Sequence, residues 1–138
     1  MSFCKDFGSL VFDSRLSYTY QKAQDFTDKS DKDTYGGQIS YIPWHSGSAI
    51  LNAGYKSWEL NYSFIYTGER YDVSANTPEN YRLPWYTSDF SLAKKFSWRK
   101  YDFKLTLEVN NIFNQQYEVV RSYPMPGTNF KFILNLTI

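Results

Sequence analysis

Side chains of alternating polarity mark the last third of the chain, where two such runs flank a loop. Apolar side chains occupy every second position from Phe103 to Val109, and again from Phe130 to Ile138. Successive side chains of a β-strand point to opposite faces of the sheet, so each run has one apolar face and one mostly polar face. The pattern predicts two strands, and it is typical of soluble sandwiches and of membrane barrels alike.

The same alternation recurs upstream and predicts six strands in all. They run over residues 10–20, 46–55, 58–67, 85–96, 101–110 and 130–138. No segment has a helical period, so the sequence predicts an all-β, antiparallel, up-and-down fold. Most of these strands have around ten residues, whereas soluble strands typically have about 5–6 and membrane-spanning strands about 9–11. Strand length therefore favours a transmembrane β-barrel.

The connections between the predicted strands alternate in length. Long loops occupy residues 23–43, 68–84 and 114–127, whereas residues 56–57 and 97–100 form short turns. Long loops at one end and tight turns at the other are the arrangement of outer-membrane barrels. A sandwich has no reason to sort its loops by side, so the connections also favour a barrel.

Aromatic residues make up 20% of the chain, although its mean hydropathy is −0.55. They gather at the two ends of the predicted strands. The short-turn end carries Tyr55, Trp58, Phe96, Trp98 and Tyr101, and the long-loop end carries Tyr20, Tyr41, Trp44, Tyr66, Tyr71, Trp85 and Tyr86. Two aromatic girdles are expected where strands cross the two lipid–water interfaces.

In a wide barrel the polar faces of the strands would face water, a plug or substrate, and the apolar faces would face lipid. The predicted polar face carries Asp13, Arg15, Glu59, Asn61, Asp89, Lys95, Lys104, Glu108 and Asn110. The predicted lipid face of the last strand carries Phe130, Phe132, Leu134, Leu136 and Ile138.

Six strands cannot close a membrane barrel, because the smallest such barrels have about eight. Open edges in hydrocarbon would leave backbone N–H and C=O groups unpaired, at a cost of several kcal/mol each. We therefore expect residues 1–138 to be a C-terminal β-barrel segment of a larger protein. The start of the chain lacks the basic and apolar regions of a signal peptide, which agrees with this expectation.

Four segments resemble the C-terminal part of TonB-dependent outer-membrane receptors, the family that takes up siderophores, vitamins and other nutrients. They are IPWHSGSAILNAGY (42–55), YTGERYDV (66–73), YRLPWYTSDFSLAKKF (81–96) and, most specifically, EVNNIFNQQYEVVRSYPMPGTNFKF (108–132). The last segment is similar to the penultimate strand, the last external loop and the final strand of these receptors.

The resemblance implies a barrel of about 22 strands in a Gram-negative outer membrane, of which this chain would supply the last six. The whole receptor would import a scarce solute such as a ferric siderophore, haem, cobalamin or a glycan. The implied partners are membrane lipid, the missing plug domain and remaining barrel strands, the TonB complex, and a small-molecule or glycan ligand. We expect neither enzymatic activity nor a cofactor. The alternative is a soluble β-sandwich or lipocalin-like ligand-binding module.

The loop at residues 114–127 supplies three candidate ligand contacts, Tyr117, Arg121 and Tyr123. External loops of a receptor are where a solute would first be captured, and binding residues are concentrated on loops held by a rigid scaffold. The alternative is that this loop is shaped only for the return of the chain into the sheet.

Five residues of this region have predictable backbone roles. Asn110 and Asn111 end a strand with side chains that can satisfy backbone groups. Pro124 and Pro126 stiffen the loop, and we expect Gly127 to take a positive φ where the next strand begins.

Other candidate chemistry is sparse. His45 is the only histidine, and a nucleophilic triad would have to combine it with Cys4 or Ser46. No activating arrangement accompanies it, so we expect an interfacial or lumen-facing histidine. The net charge of +1 gives no basic surplus for a nucleic-acid partner.

Four aspartates lie between residues 25 and 33 and raise the question of a calcium site. An EF-hand loop beginning at Asp31 would need oxygen ligands where Tyr35 and Ile42 stand. Two lysines interleave with the aspartates, so we expect a solvated external loop and no metal site. A calcium-binding loop is the alternative.

Overall fold

The computed structural model describes residues 1–6 and 8–137. Within them the strands are β1 (Ser2–Asp6), β2 (Leu10–Tyr20), β3 (His45–Tyr55), β4 (Trp58–Thr67), β5 (Arg70–Tyr71), β6 (Tyr81–Arg82), β7 (Trp85–Trp98), β8 (Tyr101–Asn110), β9 (Glu118–Val120), β10 (Tyr123–Pro124) and β11 (Asn129–Thr137). A single 3₁₀ turn, Pro78–Asn80, precedes β6. Ile138, predicted to face lipid, lies outside the described residues.

The long strands form one antiparallel sheet of seven strands in the order β1-β2-β3-β4-β7-β8-β11. Two small hairpins, β5–β6 and β9–β10, stand apart from it within the long loops. Neighbouring long strands follow one another along the chain, as an up-and-down arrangement requires. The predicted all-β, antiparallel barrel segment is thus confirmed, with β1 and β11 as the two edges of the sheet in the described part of the chain.

All six predicted strands are present, with ends that move by one or two residues. The prediction missed β1, which pairs with β2 from Ser2↔Arg15 to Asp6↔Val11. β1 has only five residues, too few to show a clear alternation of polarity. Its hydrogen bonds to residues 11–15 of β2 hold it in the sheet. Gly8, at φ 77, lies in the turn between them. A glycine between two extended runs was the signal that could have predicted this hairpin.

The register brings the predicted polar positions onto one face of the sheet. One row crosses six strands through Asp13, Asn52, Asn61, Ser91, Glu108 and Lys131. In this row the Asn52 amide donates to Asp13 Oδ1 at 3.0 Å, and Asn61 donates to Asn52. Asp13, Asn52 and Asn61 therefore form a cross-strand chain of hydrogen bonds, which stabilises this part of the polar face.

The opposite face is apolar and uncovered. One of its rows joins Leu60, Leu92, Leu107 and Phe132 across four strands. Among the described residues only Ala93 is a buried hydrophobic residue, and Phe130 on the edge strand remains 76% exposed. A soluble sandwich would cover such a face with a second sheet. An uncovered apolar face on strands of 9–14 residues is instead suited to lipid.

The two ends of the sheet differ as predicted. Lys56 and Arg99 take φ of 54° and 57° in the tight β3–β4 and β7–β8 turns. The three long loops all emerge at the other end. No helix in the described residues is long and apolar enough to span a membrane.

Candidate functional site

The long loops, at residues 21–44, 68–84 and 111–128, are joined to one another through polar contacts. Gln38 of the first loop receives a hydrogen bond at its carbonyl from the Asn76 amide at 3.1 Å, and its backbone N–H donates to the same side chain. Gln38 is buried. These contacts join the first loop to the second over a separation of 38 residues.

Arg70 joins the second loop to the third. Its Nη2 donates to the carbonyl oxygens of Glu118 at 2.8 Å and Val119 at 3.2 Å, and the residue is only 3% exposed. Burial lowers the pKa of the Arg70 guanidinium from its usual range. The group nevertheless stays protonated, because an arginine begins so far above neutral pH. It therefore holds the β9 segment as a buried cation.

Asp72 provides a second link between these two loops, through Arg82 and Arg121. Its carboxylate accepts a hydrogen bond from Arg82 Nε at 2.7 Å and a second from Arg82 Nη2. Arg121 Nη1 lies 3.6 Å from the same carboxylate oxygen. The Asp72 side chain is buried, whereas both arginines reach solvent. The buried carboxylate therefore joins the second loop, which carries Arg82, to the third loop, which carries Arg121.

A cavity of about 500 Å³ opens beside this network. Trp85 and Tyr117 lie in its wall with their rings stacked at 4.5 Å between centroids and 28° between planes. Arg82, Gln115 and Gln116 supply polar groups to the same wall. Volumes of a few hundred cubic ångströms are typical of small-molecule sites. The cavity therefore combines aromatic surface with hydrogen-bonding groups, as ligand pockets do.

Two polar atoms in this wall indicate how it would bind a solute. Trp85 Nε1 is buried without a hydrogen-bond acceptor in the described part of the chain. Burial raises the pKa of the Tyr117 phenol, and the nearby Asp89 carboxylate raises it further, so the phenol remains a donor at neutral pH. The Tyr117 phenol can thus donate to an oxygen atom of a ligand, whereas the buried Trp85 Nε1 would need neighbouring groups to move before a ligand could reach it.

The three predicted ligand contacts fall in different surroundings. Tyr117 lines the cavity, whereas Arg121 pairs with Asp72 and donates its backbone N–H to Tyr41 Oη at 3.4 Å. Tyr123 lies in β10 and is 70% exposed. The structure thus brings one of the three to the cavity wall, and their role in binding stays a prediction.

Trp85 is the cavity residue that the sequence reasoning misplaced, since it was assigned to an aromatic girdle. Trp85 is separated from Asp89 and Ser91 by even numbers of residues on β7, so all three side chains point to the same face. Its register partner Thr67 also lies on the polar face, on β4. Strand alternation, applied to position 85 as it was to position 89, would have predicted its place on the polar face.

Asn111 closes the third loop, as the sequence predicted. Its amide donates to the carbonyls of Gln115 at 2.9 Å and Pro126 at 3.2 Å, and its Oδ1 accepts from the Gln115 N–H at 2.9 Å. Its own backbone N–H donates to Asp89 Oδ1 at 2.8 Å. One buried side chain therefore ties the start of this loop to its end.

The predicted positive φ at Gly127 is wrong, because among the described glycines only Gly8 and Gly36 have one. The physical requirement at Gly127 is space. A Cβ atom there would collide with the Asn114 side-chain oxygen, so a larger residue at this position would require the Asn114 side chain to move.

We expect Asn111→Ala to open the third loop while leaving the sheet intact. The change would leave two carbonyls and one N–H without partners, at about 1–2 kcal/mol in local stability. Hydrogen exchange of residues 111–128 measures the opening. Asn114→Ala is the comparison variant, since Asn114 also has a positive φ, at 50°, but is exposed. Its Oδ1 accepts one backbone hydrogen bond across the loop, from the Thr128 N–H at 3.2 Å, so a smaller acceleration is expected. Equal acceleration in both variants would contradict the role assigned to Asn111.

The other candidate residues have local structural contacts. His45 Nδ1 shares a hydrogen bond of 2.7 Å with Tyr18 Oη, and the next residue, Ser46, points to the opposite face of the strand. This geometry does not join His45 and Ser46 as a base and its nucleophile. Cys4 is an exposed free thiol on β1.

Two aspartates of the first loop, Asp25 and Asp28, accept hydrogen bonds from backbone N–H groups within their own turns. Asp25 Oδ1 accepts the Thr27 N–H at 2.8 Å, and Asp28 Oδ1 accepts the Ser30 N–H at 2.8 Å. Hydrogen bonds from Thr27 and Ser30 lower the pKa of the two carboxyls. No cluster of three or more metal-ligating side chains forms within residues 1–6 and 8–137.

The family comparison agrees with this architecture. A family model described as "TonB dependent receptor-like, beta-barrel" matches residues 6–112. A comparison with curated proteins finds no match. The family match ends before most of the third loop and β11, although the sequence resemblance was judged most specific there. It nevertheless covers most of the chain, from β2 through β8. The chain belongs to the β-barrel family of TonB-dependent outer-membrane receptors.

Proposed function

We propose that this chain forms the C-terminal part of the barrel of a receptor that imports a scarce solute across a Gram-negative outer membrane. The remaining barrel strands and a plug domain would come from sequence outside residues 1–138. The two open edges of the seven-stranded sheet support this, because each would expose backbone groups to lipid until another strand paired with it.

The polar face supplies a surface for the lumen of such a barrel. Its cross-strand rows of amide and carboxylate groups would contact water and the plug, and the TonB complex would act on that plug. The imported solute would be a ferric siderophore, haem, cobalamin or a glycan. Of these, a ring-bearing solute with oxygen atoms at its edge best matches stacked aromatic rings accompanied by hydrogen-bond donors.

The cavity at the loop end is the observation that carries the proposal. It lies on the polar side of the sheet, between the second and third loops, where an external solute would meet the barrel. Trp85 and Tyr117 form its aromatic wall. Aromatic residues in well-packed pockets commonly dominate binding energy, which makes these two the residues expected to matter most.

We expect Trp85→Ala in the receptor to weaken solute binding on the order of 30-fold, which corresponds to about 2 kcal/mol for a central aromatic contact. Binding is measured by titration calorimetry with a panel of ferric siderophores, haem, cobalamin and oligosaccharides. Uptake of the same solutes by intact cells provides the second readout.

Trp98→Ala is the matched control, because it removes the same side chain at the opposite end of the same strand. It should leave affinity unchanged. If a folded Trp85→Ala receptor binds every solute as tightly as the parent does, the cavity is not the solute-binding site.

A further inference from the structure

Four cations lie over aromatic rings at the short-turn end of the sheet. Two of them are Lys56 in the β3–β4 turn and Lys94 on β7, the strand that pairs with β4. Lys56 Nζ is 5.2 Å from the Tyr55 ring centroid, and Lys94 Nζ is 4.7 Å from that of Trp58. Trp58 pairs with both Tyr55 and Lys94 in the register, so these side chains share the apolar face. Each ammonium therefore lies beside an outward-facing ring.

The β7–β8 turn repeats the arrangement. The Arg99 guanidinium carbon is 5.4 Å from the Trp98 ring centroid, and Lys100 Nζ is 5.4 Å from that of Tyr101. Trp98 and Tyr101 are register partners on the same face. We call Lys56, Lys94, Arg99 and Lys100 the basic rim.

The carboxylates at this end of the sheet lie on the opposite face. Glu59 pairs there with Lys95 at 2.5 Å and Lys104 at 2.6 Å, and Asp102 accepts from Ser97 Oγ at 2.6 Å. Among the described residues, the register places no acidic side chain on the apolar face at this end. Within residues 1–6 and 8–137, no carboxylate side chain forms an ion pair with a cation of the basic rim.

Apolar surface continues directly from the rim along the strands. Phe96 and Phe103 stack at 5.1 Å and 9°, two register pairs further from the β7–β8 turn than Trp98 and Tyr101 and on the same face. Lys94 lies one same-face position further along β7 from that turn than Phe96, level with Trp58 at the β3–β4 turn. At the β7–β8 hairpin, from the turn inward, the outer face presents two cations, then amphipathic rings, then purely apolar rings. This is the order of a phospholipid from its headgroup to its acyl chains.

We propose that the basic rim binds the phosphate groups of anionic phospholipids in the membrane leaflet on the short-turn side. At the β7–β8 hairpin such a lipid would place its acyl chains against Phe96 and Phe103 and its headgroup beside Arg99 and Lys100. At the β3–β4 turn a headgroup would lie beside Lys56 and Lys94. A plug inside the barrel cannot reach the rim, because the rim faces outward. This inference rests on the proposed closed barrel in a membrane but not on the identity of the imported solute.

The test compares lipid retention by the receptor in mixed nanodiscs of phosphatidylglycerol and phosphatidylcholine with the same acyl chains. Native mass spectrometry counts the lipids that remain bound. Each cation near a membrane surface contributes up to about fivefold in preference for anionic lipid. We therefore expect Lys94→Gln to reduce phosphatidylglycerol enrichment severalfold, and the four-residue rim variant to reduce it more than tenfold.

Lys95→Gln is the matched control for Lys94→Gln, since the two lysines are adjacent on β7 and point to opposite faces. It should leave the enrichment unchanged. Equal losses in both variants, or no loss in the rim variant, would overturn the proposal. Because the rim variant could fail to fold, the Lys56→Gln and Lys100→Gln double variant provides a second comparison confined to the turns.

Failure of the lipid proposal remains distinguishable from failure of the proposed function. Heat-modifiable electrophoretic mobility reports whether the barrel has folded, independently of lipid preference. A folded barrel without lipid selectivity overturns the rim proposal alone. A chain that never folds into membranes, with or without the remaining strands, overturns both.

Discussion

Leu92→Lys is expected to destabilise the folded barrel in lipid by about 2 kcal/mol, the lower end of the cost of a lysine on the lipid face, because Leu92 lies one same-face position inward from Lys94. Leu92 lies at the middle of the apolar face, opposite Leu60 on one side and Leu107 on the other. An ammonium at this depth would have neither water nor a carboxylate nearby. The expected effect is therefore among the largest available to a single substitution in this chain.

Ser91→Lys supplies the matched control, because it adds the same side chain one residue earlier on the same strand. Ser91 lies on the polar face opposite Asn61 and Glu108, and Glu108 can pair with the new ammonium. Folding of the receptor into phospholipid vesicles, titrated with guanidinium chloride, measures both variants. If the two lose equal stability, the assignment of one face to lipid and the other to the lumen is wrong.

Asp72→Ala is expected to separate the second and third loops and to cost about 3 kcal/mol, the lower end for breaking a buried ion pair. The lower end applies because the Arg82 side chain is 26% exposed and can regain water. Two guanidinium groups would then repel each other where one carboxylate had held them. We expect hydrogen exchange to accelerate in residues 68–84 and 111–128.

Asp28→Ala controls for removal of a loop carboxylate, since Asp28 is exposed and bonds only within its own turn. Exchange in the seven-stranded sheet should stay at the parent level in both variants. If Asp72→Ala leaves the loops as protected as the parent, then the Asp72 network does not organise them.

The Asp72 network also bears on solute capture, because Arg82 belongs both to it and to the cavity wall. Tyr117 lies one residue before Glu118, whose carbonyl accepts from Arg70. Loosening either loop would therefore disturb the Trp85–Tyr117 stack. Pre-organised loops lose less conformational freedom when a ligand binds, so the network is expected to support affinity without touching the solute.

Most of the sheet was predictable from the sequence because the information is local. A period of two in polarity assigns every residue of a strand to a face, and the tight turn at Lys56 then sets the register of β3 against β4. The six long strands and the polar and apolar faces follow from that rule alone. The same alternation places Trp85 on the polar face and not in the outward aromatic girdle.

Local patterns could not predict the network that joins the long loops. Its contacts depend on partners that lie far away along the chain, as Arg70 does on Glu118, 48 residues later. Charged and aromatic residues in loops have no period that fixes their neighbours, so their contacts depend on how the strands bring the loops together. Six of the seven strands of the sheet, and their polar and apolar faces, were therefore determined by alternation in the sequence. The cavity, its buried charges and the outward basic rim were decided only by the tertiary structure, because the register joins strands that are distant along the chain.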